Sequence, residues 1–276
     1  MANNIFLYHK NCDDGFGAAW AAWKKFGKNG KYIGIVHDDP IPKGLKNKNI
    51  YFLDICYKPE VIKKLLKIAK SITVIDHHIS AEPAIKLIPN RLYELNHSGA
   101  ALSWKYFHPN KKLPTLLECI EDQDLWHWTH PHSQELMSAL KLYDFDFKVW
   151  SRIASDCETK NGLKKYLTEG KILLTQRKIG VKNAVKDATK VIFCGYKTLA
   201  VNTRSAVSDI GAALSKKLPP IAIVWSERNG KIVVSLRSNG KVDVSKLAAR
   251  FGGGGHKASS AFRLDAGKPF PWKRIK

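Results

Sequence analysis

Short apolar runs alternate with longer mixed segments through the first half of the chain. Ile5–Tyr8, Tyr32–Val36, Ile50–Asp54 and Ile72–Ile75 read as strands, and Gly17–Phe26 reads as a helix after the first of them. Pro59 opens a further helix at a favoured first-turn position, and Val61, Leu65, Leu66 and Ala69 give it one apolar face. Strands that are apolar throughout and alternate with helices predict a parallel sheet covered on both sides. From about Pro131 to Lys186 the pattern turns helical, ending in a lysine-rich connector helix over 161–186. Strand patterns then return at Val191–Phe193, Leu199–Asn202, Ile221–Ser226 and Ile232–Arg237, with Asn229-Gly230 as a two-residue hairpin turn between the last pair. The expected fold is α/β: an N-terminal doubly wound, mainly parallel sheet over residues 1–158, a helical connector over 159–187, and a smaller C-terminal α/β domain over 188–276.

Polar clusters follow three of the N-terminal strands: His9, Asp13 and Asp14 after the first, Asp54 after the strand at 50–53, and Asp76, His77 and His78 after the next. Ligands of open parallel sheets bind beyond the carboxyl ends of the strands, so these clusters are expected to converge on one sheet edge. Taken singly, His9 fits a hydrogen-bonded interior histidine, Asp14-Gly15 a turn, and Asp54 a cap for the helix at Pro59. Together, carboxylates and imidazoles without a close thiolate pair suit Mn²⁺, with Mg²⁺ as an alternative, better than structural zinc. One or two such ions would clamp a phosphate and activate a water for in-line attack.

Composition narrows the partners. Lys and Arg number 46 against 24 Asp and Glu, a formal charge of +22, which favours polyanions. The bland alternative is a set of lysines that only solvate helix faces. Five scattered cysteines suggest reduced thiols. No run approaches the roughly 18 apolar residues of a membrane span, and the first strand begins directly after Met1-Ala2-Asn3-Asn4, so a cytoplasmic protein without membrane partners is expected.

In the C-terminal domain, the run Gly252–Gly255 exposes backbone N–H groups to a phosphate or base, and His256 follows at once. Arg237 is suited to a bidentate phosphate contact, and Ser238 adds a hydroxyl. Gly254, Gly255, His256, Arg237 and Ser238 are thus candidates for substrate binding, with a flexible linker and an ordinary exposed strand arginine as the bland alternatives. Ser205 reads as a helix N-cap. Trp126 and Trp128 read as core or lid aromatics.

Several of these stretches resemble one family. Val74-Ile75-Asp76-His77-His78 resembles the Asp-His-His signature that names the DHH phosphoesterases, Tyr8–Gly15 their first motif, Leu53-Asp54 their second and Ile120–Trp126 their fourth. Gly252–Ala258 resembles the glycine-rich His motif of the DHH-associated domain. The resemblance implies that His9, Asp14, Asp54, His77 and an acid of the fourth motif bind metal, with Asp54 and that acid able to bridge two ions. Asp122, which follows Leu116, Leu117 and Ile120, is preferred to Asp124. It also implies that His78 lies near the scissile phosphate and that Asp76 orients the imidazoles, making these two the expected catalytic pair. The second domain would then grip the nucleotide across a cleft. One departure stands out: the family's first motif carries two acids one residue apart, and here Cys12 and Asp14 hold that spacing, with Asp13 between them as either a substitute ligand or a helix-capping acid.

The expected activity is hydrolysis of phosphodiester bonds in short RNA or single-stranded DNA, as an exonuclease or oligoribonuclease. Alternatives are a small-nucleotide phosphoesterase acting on a cyclic dinucleotide, 3′-phosphoadenosine 5′-phosphate or polyphosphate, or a nucleotide-binding protein of weak catalysis, suggested by Cys12. A homodimer is compatible with the sequence, which does not decide the oligomeric state.

Overall fold

The computed structural model describes residues 3–37 and 39–275; Met1 and Ala2, which entered the reading of the chain start, lie outside the described residues. Five strands build the first sheet: β1 (Asn4–His9), β2 (Gly30–Ile35), β3 (Asn49–Leu53), β4 (Ser71–Asp76) and β5 (Asn90–Tyr93). Their order is β2-β1-β3-β4-β5 and every pairing is parallel. The helices around it are α1 (Asp13–Phe26), α2 (Pro59–Leu66), α3 (Glu82–Ile85), α4 (Gly99–Phe107), α5 (Thr115–Asp124), α6 (Ser133–Leu140), α7 (Phe147–Cys157) and α8 (Lys160–Lys186).

Alternation along the strands sends neighbours into different layers. Phe6, Leu53 and Ile75 join Trp20, Leu117 and Trp150 of the helices on one side. Leu7, Phe52 and Val74 meet Ile62 and Leu65 of α2 and Ile85 of α3 on the other. Buried alanines, Ala18, Ala21 and Ala22 among them, let α1 pack closely, and Trp20 stacks on Trp104 of α4 at 5.4 Å between ring centroids. The expected doubly wound sheet is thus present. Strand β5 and helix α4 were not foreseen, because Asn90-Arg91-Leu92-Tyr93 is too polar for an apolar run and α4 opens on Gly99-Ala100-Ala101.

The chain divides into two compact units, Met1–Leu174 and Thr175–Lys276, and the division falls inside α8. The first part of α8 is tied to its own unit. Tyr166 is buried and donates its hydroxyl to Asp156 at 2.7 Å, and a Cβ on Gly170 would stand 1.8 Å from the Glu135 carbonyl oxygen.

The second unit carries β6 (Thr189–Phe193), β7 (Tyr196–Asn202), α9 (Val207–Lys217), β8 (Ile221–Arg228), β9 (Lys231–Ser238), α10 (Val244–Ala249), β10 (Gly254–His256), β11 (Ser259–Asp265) and β12 (Trp272–Arg274). They form one mixed sheet in the order β10-β11-β9-β8-β7-β6-β12, with β7 and β8 parallel and the other pairs antiparallel. Asn229 and Gly230 both take positive φ, 48° and 71°, as a tight hairpin turn requires. Ser205 is not the cap of α9. Ala206 holds that position, while the Ser205 amide donates to Thr203 Oγ1 at 3.2 Å. Among the described residues no helix is long and apolar enough to cross a membrane.

Candidate metal centre

Strands β1, β3 and β4 are consecutive in the sheet, and the order of the sheet reverses between β1 and β3. That switch point is where loops diverge and leave a crevice. His9 is the last residue of β1, Asp54 directly follows β3, and Asp76 ends β4, with His77 and His78 next. Asp54 takes φ 58°, a left-handed conformation that short polar residues tolerate, while its amide still donates to the Ile75 carbonyl at 2.9 Å. The strand therefore ends on a turn whose carboxylate lies between its neighbours' imidazoles.

The distances define a compact cluster. Asp54 Oδ2 lies 3.3 Å from His9 Nδ1, and Asp54 Oδ1 lies 3.3 Å from His77 Nε2 and 3.6 Å from His78 Nδ1. His77 Nε2 also faces Asp14 Oδ2 at 3.6 Å and Asp124 Oδ2 at 3.4 Å. Asp14 is held by the N-terminus of α4, accepting from Gly99 N at 2.7 Å and Ala100 N at 2.8 Å. Exposed amides and the positive end of a helix dipole suit a carboxylate there. Two glycines permit this closeness. A Cβ on Gly15 would stand 2.2 Å from the His9 carbonyl oxygen, and one on Gly99 would stand 2.5 Å from Asp54 Cβ.

Asp76 is buried behind the cluster. Its Oδ1 accepts from the amides of His77 at 2.7 Å and His78 at 3.0 Å, and lies 2.7 Å from His78 Nδ1. Asp76 thereby ties down the backbone of His77 and His78 and the His78 imidazole.

The fourth motif departs from expectation. Asp122 Oδ1 accepts from Thr129 N at 2.8 Å and Thr129 Oγ1 at 2.9 Å, and its Oδ2 accepts from His130 N at 3.2 Å. Asp122 thus closes the loop after α5. Asp124, rather than the expected Asp122, is the carboxylate that reaches the cluster, because two residues along a helix face different ways. Asp13 is turned away too, pairing with Lys141 and lying 3.5 Å from Gln123 Nε2. Cys12, by contrast, has its Sγ within 4.8 Å of ligand atoms of His9 and Asp54. His37 was not singled out in the sequence, yet its ring centroid lies 5.8 Å from that of His9 and 6.5 Å from that of His78. A histidine just past the end of β2, at the same sheet edge, was the available signal.

Electrostatics test whether these residues suit a cation. Burial, then the charges of Asp54 and Asp124, holds the Asp14 carboxyl well above its ordinary range. Burial also pushes the Asp54 carboxyl up, but the His77 and His9 imidazoles beside it and the charge of His78 outweigh it and leave the group below its usual range. Asp124 is pushed up to about 6 by desolvation and by Asp54. Burial lowers the His78 pKa, but Asp76 and Asp54 dominate and bring it up to about 9. Three carboxylates gathered around imidazoles, with Asp54 Oδ1 buried and lacking a hydrogen-bond partner, form an environment that a divalent ion would relieve. The donor atoms fall into compact sets: His9, Cys12 and Asp54; Asp54, His77 and His78; and Asp14, His77 and Asp124. Such a donor set fits a first-row divalent cation.

In the second unit, Arg237 pairs with Ser259 across β9 and β11, and Ser259 with His256 across β11 and β10, so the three share one row of the sheet. The Arg237 guanidinium donates to Leu236 O and Ser208 Oγ, each at 2.9 Å, and its stem packs on Gly211, where a Cβ would stand 2.4 Å from Arg237 Cγ. Ser238 Oγ accepts from Gly240 N at 3.0 Å and Val242 N at 3.4 Å. Gly254 and Gly255 belong to the edge hairpin, and Gly255, at φ 134°, leaves no room for a Cβ, which would meet the Ser259 carbonyl at 2.7 Å.

An α/β unit with carboxylates and imidazoles at its switch point is followed by a mixed-sheet unit with an Arg/His row. Residues 187–270 match the DHHA1 domain family. A DHHA1 domain thus stands at the C-terminal side of the chain, and the likeness to DHH-type phosphoesterases agrees with the resemblance carried by the motifs. It is 28% identical to the uncharacterized protein R106 of Acanthamoeba polyphaga mimivirus, over 99% of this chain and 70% of that protein. It is 23% identical to the oligoribonuclease NrnB of Bacillus subtilis, over 62% of this chain and 48% of that protein. Among solved structures it shares its fold with the pGpG-specific phosphodiesterase PggH of Vibrio cholerae (TM-score 0.54, 15% identity, 95% and 93% of the two chains). It shares it also with RecJ of Thermus thermophilus in complex with Mn²⁺ (TM-score 0.51, 13% identity, 96% and 50%).

Proposed function

We propose that this chain is a divalent-cation-dependent phosphodiesterase that hydrolyses short oligonucleotides or the ends of single-stranded nucleic acid. The observation that carries the reading is the meeting of Asp14, Asp54 and Asp124 around His77 Nε2, each within 3.6 Å. His9, Asp14, Asp54, His77 and Asp124 would hold one or two ions, Mn²⁺ or Mg²⁺. Bound there, a divalent ion supplies Lewis acidity at the phosphoryl group and lets water act as nucleophile at neutral pH.

The remaining work falls to side chains. His78 keeps its Nδ1 proton against Asp76 Oδ1, which leaves Nε2 as the atom that passes a proton to the leaving oxygen. In the metal-free protein Asp76 and Asp54 outweigh burial and bring the His78 pKa up to about 9, and the Asp76 contact would persist beside a bound ion. His37, near His9 and His78 at the same edge, would add a further imidazole beside the reacting phosphate. In the DHHA1 domain, Arg237 and His256, with Gly254, Gly255 and Ser238 beside them, would bind the substrate's phosphates and base.

The net charge of +22 supports a chain-like polyanion, because each neutralised phosphate releases counterions. The oligoribonuclease named among the relatives supports the same choice. A second reading, hydrolysis of a dinucleotide such as pGpG or of another small nucleotide, is favoured by the likeness to PggH over nearly the whole chain. Purified protein with Mn²⁺ on labelled oligomers of graded length, pGpG, cyclic dinucleotides and 3′-phosphoadenosine 5′-phosphate separates the two. Mononucleotide release from oligomers beyond the dinucleotide supports the first reading, turnover of small nucleotides alone supports the second, and binding without any turnover defeats both.

A further inference from the structure

The donor groups at the sheet edge are unlike one another. His9, Cys12 and Asp54 supply nitrogen, sulfur and oxygen, whereas Asp14, His77 and Asp124 supply only oxygen and nitrogen, and within each set the ligand atoms lie within 4.8 Å of one another. The two sets share no residue. Asp54 can serve the first through Oδ2, beside His9, while its buried Oδ1 lies 3.3 Å from His77 Nε2 of the second. Cys12 stands at the N-cap position of α1, a place that Ser, Thr, Asp or Asn usually fills.

We propose that the centre is chemically asymmetric: Cys12 binds a cation as a thiolate together with His9 and Asp54, which makes that position selective for a softer ion than the all-oxygen-and-nitrogen position at Asp14, His77 and Asp124. This rests on the metal-dependent reading above and adds to it a preference between ions. On binding, a sulfur–metal bond replaces a metal–water bond, the water leaves, and the thiol proton passes to solvent. Soft thiolate donors favour Zn²⁺, Co²⁺ or Cd²⁺, while carboxylates and imidazoles accept Mn²⁺ and Mg²⁺. A carboxylate at position 12 would leave both positions with oxygen and nitrogen donors alone.

The test uses the full chain stripped of metal and titrated with Co²⁺, followed by absorption and by equilibrium dialysis. The expected result is a near-ultraviolet thiolate-to-cobalt charge-transfer band that saturates with bound metal and vanishes in Cys12→Ser. In Cys12→Asp, Co²⁺ still binds without the band, and Cd²⁺ affinity falls by roughly tenfold or more, the order of loss seen when groups around a metal are altered. Circular dichroism of both variants verifies folding, and the near-isosteric serine guards against a packing effect. Bound Co²⁺ with no charge-transfer band, or a band that survives in Cys12→Ser, overturns the thiolate assignment and leaves the metal reading intact. Absence of bound Co²⁺ and Mn²⁺ alike overturns both.

Discussion

Gly99 lies so close to Asp54 that a methyl group on its α-carbon would stand 2.5 Å from Asp54 Cβ and 2.9 Å from its Oδ1. This contact lets α4 direct two amides at Asp14 while its first residue rests on the neighbouring carboxylate. Gly99→Ala is expected to cost about 1–3 kcal/mol through overpacking and to displace both acids. The signature is a lower unfolding midpoint in urea together with Mn²⁺ affinity reduced tenfold or more; a variant with unchanged ion binding would show that the helix N-terminus is not what positions Asp14.

Asp122 and Asp124 are expected to fail in different ways. Asp122→Ala removes the acceptor of three hydrogen bonds and should destabilise the fold by about 1–3 kcal/mol, with ion affinity largely kept. Asp124→Asn should lower ion affinity while making the metal-free protein more stable, since it removes a like charge from beside Asp54 and Asp14. Paired calorimetric melts and Mn²⁺ titrations read both quantities, and equal loss of ion binding in the two variants would contradict the division.

The metal-free protein should also report His78 through its pH dependence. The folded pKa is raised from the ordinary 6.5 to about 9, so the protonated imidazole contributes stability that is complete below about pH 6.5 and is lost as pH rises through 9. His78→Asn should flatten that part of the urea-midpoint profile, over roughly pH 6.5 to 9.5. A wild-type profile already flat over this window would count against the Asp76–His78 pair as drawn.

His77→Ala is expected to reduce cation-dependent turnover by about 100-fold or more, because its Nε2 faces all three carboxylates. Far-ultraviolet circular dichroism should stay native. Retained activity at saturating Mn²⁺ would remove His77 from the ligand set.

Arg237→Ala should raise KM and leave kcat nearly unchanged, and Arg237→Lys should rescue little, since an ammonium cannot reproduce the fork that now reaches both Leu236 O and Ser208 Oγ. Steady-state kinetics on one oligomer decides it, and a fall in kcat alone would assign Arg237 elsewhere.

Much of this was legible in the chain. The apolar strands and the polar residues behind them, His9, Asp54 and Asp76-His77-His78, mark a sheet edge because strand ends follow from local hydrophobic pattern. The choice between Asp122 and Asp124 was not legible, since it turns on where α5 ends and on which carboxylate the loop at Thr129 and His130 captures. The roles of α4 and His37 were hidden for a related reason: neither lies in a recognisable pattern, and both reach the centre only through packing.

By itself, then, the sequence determined the apolar strands of the first sheet, the donor types available for a cation and the cysteine in the first motif. Tertiary structure alone decided which donors meet. A parallel sheet brings together residues 45 positions apart in the chain, such as His9 and Asp54, and the register of neighbouring strands and the approach of α4 at Gly99 set distances that no local spacing encodes.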